Sequence, residues 1–254
     1  ALLCMGVSTV AIGFLPTYAQ AGWLAPLLLC FMRFGQGFGL GGEWSGAALL
    51  ALENAPPGFR ARYALATPMG APVGFIGANG LFLVMGALLG PEAFMAWGWR
   101  VPFLLSVVLV GVGLWIRLRV TETPEFLAAR AEAPPPRAPL GDVLRQYPLE
   151  ALAGTFSAAA CFAVFYITTT FALGYGTTRL GYSRELFLVL ELGAILVMAA
   201  SIIVSGIAAD MTSPRRVLIV GCGTTMGAGL LLAPMLGSGS TLLVFGWLAL
   251  AMMA

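Results

Sequence analysis

The sequence predicts an all-α membrane protein, and three observations carry that prediction. Apolar stretches near the ~20 residues that cross a bilayer recur along the whole chain. Only 9% of the 254 residues are charged while 59% are hydrophobic, at a mean hydropathy of +0.93. A soluble domain keeps roughly a quarter of its residues charged to face water, so the surface of a soluble protein is missing. Finally, arginines gather in alternate connections between the apolar stretches, as they do in cytoplasmic loops.

The spans expected are 1–18, 26–53, 63–89, 98–119, 149–174, 186–208, 217–235 and a shorter stretch at 241–254. The first is apolar as far as Leu15 and closes on Pro16-Thr17-Tyr18-Ala19-Gln20. The second closes on Asn54-Ala55-Pro56-Pro57-Gly58 and the third on Gly90-Pro91. Thr212-Ser213-Pro214 ends the sixth, and Gly237-Ser238-Gly239-Ser240 ends the seventh; each is turn chemistry. The connection over 120–147 differs in kind. It holds Glu122, Glu125, Arg130, Pro134-Pro135-Pro136, Arg137 and Asp142, and reads as a polar, proline-bearing linker. The expected organisation is an N-terminal bundle over 1–119, a cytoplasmic linker over 120–147 and a C-terminal bundle over 148–254. The chain opens at Ala1 and stops at Ala254 inside apolar runs, without signal-peptide features, so truncation at both ends is expected.

All thirteen basic residues are arginine. If the 54–62, 117–147 and 209–216 connections face the cytoplasm, nine arginines lie on that side and three, Arg100, Arg179 and Arg184, on the other. The absence of lysine excludes a retinal Schiff base, and the absence of histidine argues against haem bundles and histidine-dependent intramembrane proteases. Cys4, Cys30, Cys161 and Cys222 lie in apolar segments without CxxC spacing, which fits isolated thiols; neither metal nor cofactor is expected.

The second span carries the most informative run, Arg33 to Glu43. A charge at a helix centre costs ~2.5–3.5 kcal/mol on insertion scales, so such residues face a bundle interior or a watery path. Arg33, Gln36, Leu40 and Glu43 fall at i, i+3, i+7 and i+10, one polar stripe interrupted once. Gly35, Gly39, Gly42 and Gly46 form a second stripe, spaced for close approach of another helix. The expectation is a helix that docks on its glycines and turns Arg33 and Glu43 to a central cavity.

Four groups of residues resemble a known family: Arg33…Gln36-Gly37…Gly41-Gly42-Glu43; Glu53…Pro56…Arg60; Trp97-Gly98-Trp99-Arg100-Val101-Pro102-Phe103; and Arg117…Glu122-Thr123-Pro124-Glu125-Phe126. The chain is similar in these to the metabolite:proton symporters, a branch of the major facilitator superfamily, closely over 1–126 and loosely over 148–254. The resemblance implies two pseudo-symmetric six-helix halves, each of inverted three-helix repeats, with substrate near the midplane. Aligned so, this chain holds the third to ninth helices and part of the tenth.

The resemblance also implies gating charges in cytoplasmic loops. Gly206-Ile207-Ala208-Ala209-Asp210 with Arg215 and Arg216 looks like a degraded copy of the superfamily loop motif. Asp210 is expected to pair with an arginine or a helix N-terminus as a breakable gate, or else to mark a membrane boundary. Glu53 and Arg60 fit either a cytoplasmic charge relay or a solvated loop pair. Trp97, Trp99 and Arg100 read as interface anchors. In the 149–174 span, Phe162, Tyr166 and Thr169 share a face at i, i+4 and i+7, and with Thr170 they suit a small polar solute or, alternatively, interhelical hydrogen bonds. Glu191 reads as hydrated near the outer interface, or as a second proton site.

The expected function is secondary active, proton-coupled symport of a small polar metabolite at the inner membrane, an organic acid or a zwitterionic compatible solute. Arg33 and Gln36 are candidates for substrate contact. Without histidine a proton carrier must be a carboxylate, and Glu43 is the candidate beside Arg33; a static ion pair of Glu43 is the alternative. An uncoupled facilitator or sugar-type porter, and a non-transporting sensor, remain the other readings. An enzyme is not expected, since GxSxG and HExxH are absent. The partners expected are the solute, protons and the lipid bilayer, without nucleic acid, for a monomer.

Overall fold

Backbone groups in a bilayer have no water to bond, so apolar spans satisfy them internally as helices. The computed structural model describes residues 1–119 and 139–253, and among these every regular element is helical. In chain order they are α1 (Leu2–Ile12), α2 (Tyr18–Ala21), α3 (Leu24–Glu53), α4 (Arg60–Ala64), α5 (Ala66–Ala96) and α6 (Val101–Arg117). After the undescribed stretch come α7 (Pro139–Gln146), α8 (Pro148–Tyr166), α9 (Ala172–Thr178), α10 (Arg184–Met211), α11 (Pro214–Leu231) and α12 (Thr241–Met253). A 3-10 turn at Gly98–Arg100 leads into α6, and π-helical turns at Ile167–Phe171 and Leu232–Leu236 follow α8 and α11.

Six stretches are long and apolar enough to cross a membrane, from Leu24–Glu53 to Pro214–Leu236, while α1 and α12 are shorter apolar helices. Each expected span has its helix. The outward surface fits the same reading: Phe38 is 74% exposed and Leu230 80%. Apolar surface on this scale meets acyl chains rather than water. Of the linker expected over 120–147, residues 120–138 lie outside the described residues, and 139–146 form α7.

Contacts divide the chain into two units. The first comprises Ala1–Ala55 and Val73–Glu122, described up to residue 119. Here α1 packs against both α3 and α6. Glycine makes the approach possible. A Cβ on Gly6 would stand 2.5 Å from Val110 Cγ2, and one on Gly39 2.8 Å from the Met5 backbone nitrogen. α5 breaks at Gly90, whose φ of 71° suits glycine and whose successor, Pro91, has no N–H to continue the ladder. The tryptophan-arginine run anchors this unit. Arg100 Nη1 donates to the Gly13 carbonyl at 2.8 Å and its guanidinium lies 4.7 Å from the Trp99 ring centroid.

The second unit comprises Pro56–Pro72 and Thr123–Ala254, of which 56–72 and 139–253 are described. Its core is the contact of α10 with α12. On α10 the buried residues are Phe187, Leu188, Glu191, Ala194 and Ile195; on α12 they are Val244, Trp247, Leu248, Ala251 and Met252. Both sets recur at three- and four-residue spacing, the stripe of a helix packed along one face. Trp247 Nε1 donates to the Ala228 carbonyl at 2.9 Å, tying α12 to α11. Residues 56–72 join this unit for a physical reason: Leu65 seats on Gly206, where a Cβ would stand 2.5 Å from Leu65 Cδ2.

Candidate functional site

The polar face of α3 is organised by side-chain hydrogen bonds. Arg33 Nη1 donates to Gln36 Oε1 at 3.2 Å, and Gln36 Nε2 donates to Thr9 Oγ1 on α1 at 2.6 Å. Thr9 in turn donates to the Met5 carbonyl at 2.8 Å. The i, i+3 spacing puts Arg33 and Gln36 side by side, and the amide orients the guanidinium. The Arg33 side of this chain stays exposed, with donors to spare.

The glycine stripe docks in part. Gly35 lies against Ser8, Gly39 against Met5 and Ala1, and Gly42 within ordinary van der Waals distance of Ala1. Gly46 meets nothing within 4 Å among the described residues.

Glu43 does not share a contact with Arg33. Its Oε1 accepts from Arg117 Nη1 at 2.7 Å, an ion pair between α3 and the last residue of α6. The Arg117 side chain is 67% exposed, so the pair is well solvated on one side and worth roughly 0–1 kcal/mol. Glu43 Oε2 is buried without a partner among the described residues. Ten residues along a helix separate Arg33 from Glu43 by about 15 Å, which explains why the shared stripe does not bring them together.

Asp210 forms the best-defined polar contact between distant segments. Its Oδ1 accepts the Ala61 N–H at 2.8 Å and its Oδ2 the Arg62 N–H at 3.1 Å. Arg62 Nε adds an ion pair at 3.4 Å. These are first-turn donors of α4, so the carboxylate serves as a cap supplied from the end of α10. The arginine in this pair is Arg62, not Arg60, which opens α4 and stays exposed. Capping geometry selects the residue whose own N–H the carboxylate already holds. The contact also joins the 54–62 and 209–216 connections, which the arginine count assigned to one side.

Glu53 closes α3 and is half-buried. Arg215 and Arg216 occupy the first turn of α11, where Ser213 Oγ accepts the Arg216 N–H at 3.4 Å. Two cations at a helix N-terminus oppose its dipole, so α11 gains nothing from them locally.

The face expected on α8 is broken. Thr169 is 5% exposed while Tyr166 is 60% exposed and Phe162 39%. The π-turn at Ile167–Phe171 rotates the residues beyond Tyr166 away from straight helical register. Thr168 and Thr169 donate to the Val164 and Phe165 carbonyls at 2.7 and 2.8 Å, their hydroxyls spent on their own backbone. Thr170 stays exposed and lines a shallow hollow of about 290 Å³ with Leu173, Gly174, Thr177 and Arg184.

Sequence reasoning missed several partners. Thr9 and Arg117 reach α3 across 27 and 74 residues, and helical periodicity carries no such long-range information. Arg62 had a signal, standing two residues from Arg60 at the start of α4. Glu191 is a correction. The expectation of a hydrated residue near the outer interface is overturned, for it is 1% exposed and its Oε1 has no hydrogen-bond partner among the described residues. The reason is the α10 stripe, on which it occupies a core position.

The comparisons with known proteins agree with this architecture. The family profile described as Major Facilitator Superfamily matches residues 1–254. The chain is 43% identical over 256 residues to the inner membrane metabolite transport protein YhjE of Escherichia coli, covering 99% of this chain and 58% of that protein. It is 39% identical over 222 residues to the shikimate transporter of Escherichia coli, 85% of this chain and 50% of that one. A third relative, the glycine betaine/proline/ectoine/pipecolic acid transporter OusA of Dickeya dadantii, is 38% identical over 125 residues, 49% of this chain and 25% of that protein. The chain thus spans at most about three-fifths of the length of these relatives. No solved structure matches it. With its family profile, its six membrane-length helices and these relatives, the chain belongs to the major facilitator superfamily of transporters and is a multi-pass protein of the inner membrane.

Proposed function

We propose that the protein moves a small polar metabolite together with a proton by alternating access. The observation that carries this reading is the Arg33–Gln36–Thr9 chain, a held cation within a 30-residue apolar helix. A membrane helix keeps such a group only for a solute or ion path. A guanidinium binds a carboxylate through two parallel hydrogen bonds, which favours organic acids and carboxylate-bearing zwitterions. The relatives named for shikimate and for glycine betaine support both classes.

In this reading Arg33 and Gln36 hold the substrate carboxylate, and Tyr166 and Thr170 are the hydroxyl-bearing candidates for solute contact. Arg33 and Glu43 serve proton coupling, with Glu43 exchanging Arg117 for a proton during the cycle. Asp210 with Arg62 forms a gate that Glu53, Arg60, Arg215 and Arg216 support, and the transporter works as a monomer. The Glu43–Arg117 ion pair favours one other reading, an uncoupled facilitator in which Glu43 only gates.

Arg33 tests the reading in the intact transporter reconstituted in proteoliposomes. Arg33→Ala is expected to abolish counterflow of labelled shikimate or glycine betaine, whichever the wild type exchanges, and Arg33→Lys to restore only part of it. Unchanged counterflow in Arg33→Ala would remove the substrate role.

A further inference from the structure

We propose that Glu191 is a second proton-binding site of the transporter, a carboxyl group that holds its proton in the conformation described above. The inference deepens the proton-coupled reading given under Proposed function and rests on it for its role in transport. Four observations carry it.

Glu191 lies inside α10 and is 1% exposed, the most deeply buried Asp or Glu among the described residues. Its Oε1 is enclosed and has no hydrogen-bond partner among the described residues. It sits in the middle of the α10 stripe, with Phe187 and Leu188 one turn before it and Ala194 and Ile195 one turn after, all buried. The facing helix, α12, has no ionisable residue at all, and the polar atom of its buried Trp247 is already given to the Ala228 carbonyl.

The charged and titratable groups on the other elements packed against α10 form no ion pair with Glu191 among the described residues. On α11 they are Arg215, Arg216 and Cys222, on α9 Tyr175, and on α4 Arg60, Arg62 and Tyr63. On α10 itself Arg184 and Glu185 stand in the first exposed turn, and Asp210 at the far end is engaged by α4. At 1.5 Å per residue, Arg184 begins about 10 Å from Glu191 along the axis and Asp210 about 28 Å away.

An ionised carboxylate without partner or water is far more costly to bury than the neutral acid. The neutral acid needs only one acceptor for its proton, and α-helical carbonyls one turn back accept such bonds. The way in from the Ser183 end is closed by Phe187, fully buried and seated against Gly176. Tyr182, whose ring meets Phe187 edge-on at 6.1 Å, carries a buried hydroxyl that also lacks a partner among the described residues. Movement of the Tyr182–Phe187 pair would wet Glu191 and let its proton leave. A carboxyl that is dry in one conformation and wet in the other is what a proton-coupled cycle requires.

The test uses the purified intact transporter and infrared difference spectroscopy, which needs no substrate. Wild type and Glu43→Gln are expected to show the carbonyl stretch of a protonated carboxylic acid at neutral pH, lost on alkalinisation. Glu191→Gln is expected to lack it, and Glu191→Asp to keep it at a shifted frequency. Thermal stability supplies the second readout: wild type should lose stability steadily as pH rises from acid through neutral, because the unfolded state releases the Glu191 proton and the folded state keeps it, and Glu191→Gln should lack this loss. No such band in wild type, or the same band in Glu191→Gln, overturns the site. So does a Glu191→Gln protein that fails to fold, because the neutral isostere should be tolerated where the acid is neutral. If wild type shows the band but no pH-driven accumulation, the symport reading fails while the protonated Glu191 stands.

Discussion

Asp210 holds Arg62 twice, once through the backbone N–H at 3.1 Å and once through Nε at 3.4 Å. With the Ala61 N–H at 2.8 Å, one carboxylate from the end of α10 fixes the first turn of a five-residue helix 148 residues away in sequence. A helix so short has no stability of its own, so its conformation depends on this cap.

Asp210→Ala is therefore expected to cost about 0.5–2 kcal/mol at the cap and to unfold α4 locally. Asp210→Asn keeps one acceptor and should lose less. Hydrogen exchange of residues 61–64 in detergent or nanodiscs measures this. Unchanged protection in Asp210→Ala would mean that α4 is held by Leu65 on Gly206 alone.

Glycine substitutions separate packing from propensity. Gly39→Leu places a side chain where even a Cβ lies 2.8 Å from the Met5 backbone, so α1 and α3 must part, at a cost of about 1–3 kcal/mol. Gly37→Ala, with nothing within 4 Å, should be neutral or stabilise the helix by about 0.5–1 kcal/mol. The thermal unfolding midpoint should fall for Gly39→Leu and hold or rise for Gly37→Ala.

The Trp247 indole is expected to matter through its N–H as well as its bulk. Trp247→Phe leaves the buried Ala228 carbonyl one partner short, a loss of about 1–3 kcal/mol, read as a lower unfolding midpoint. A midpoint equal to wild type would show that water or another donor replaces the indole.

Topology has its own test. Cysteines introduced as Gly58→Cys and Arg137→Cys are expected to resist an impermeant thiol reagent added to intact cells, because both connections carry the cytoplasmic arginines. External labelling of either would reverse the orientation.

The helices were legible in the sequence because length and hydropathy decide them locally. The end of α3 at Glu53 follows directly from Asn54-Ala55-Pro56, and Gly237 closes the π-turn that follows α11 at Leu236. The arginine and glycine stripes of α3 were also legible, since i, i+3 and i+4 geometry is a property of one helix. What escaped was the identity of the partners that a second element supplies. Arg117 for Glu43, Arg62 for Asp210 and the enclosure of Glu191 depend on which helix faces which. The π-turn at Ile167–Phe171 escaped for a different reason, because a one-residue change in helical register leaves no mark in hydropathy.

The central claim is proton coupling, and uptake by the intact transporter in proteoliposomes with an imposed pH gradient tests it most directly. With an alkaline interior, labelled shikimate or glycine betaine is expected to rise transiently above its outside concentration, and a protonophore should abolish the rise. In Glu43→Gln accumulation should be lost while counterflow survives. Mere equilibration of the substrates that wild type exchanges, unaffected by the gradient, would contradict the account and favour the uncoupled porter.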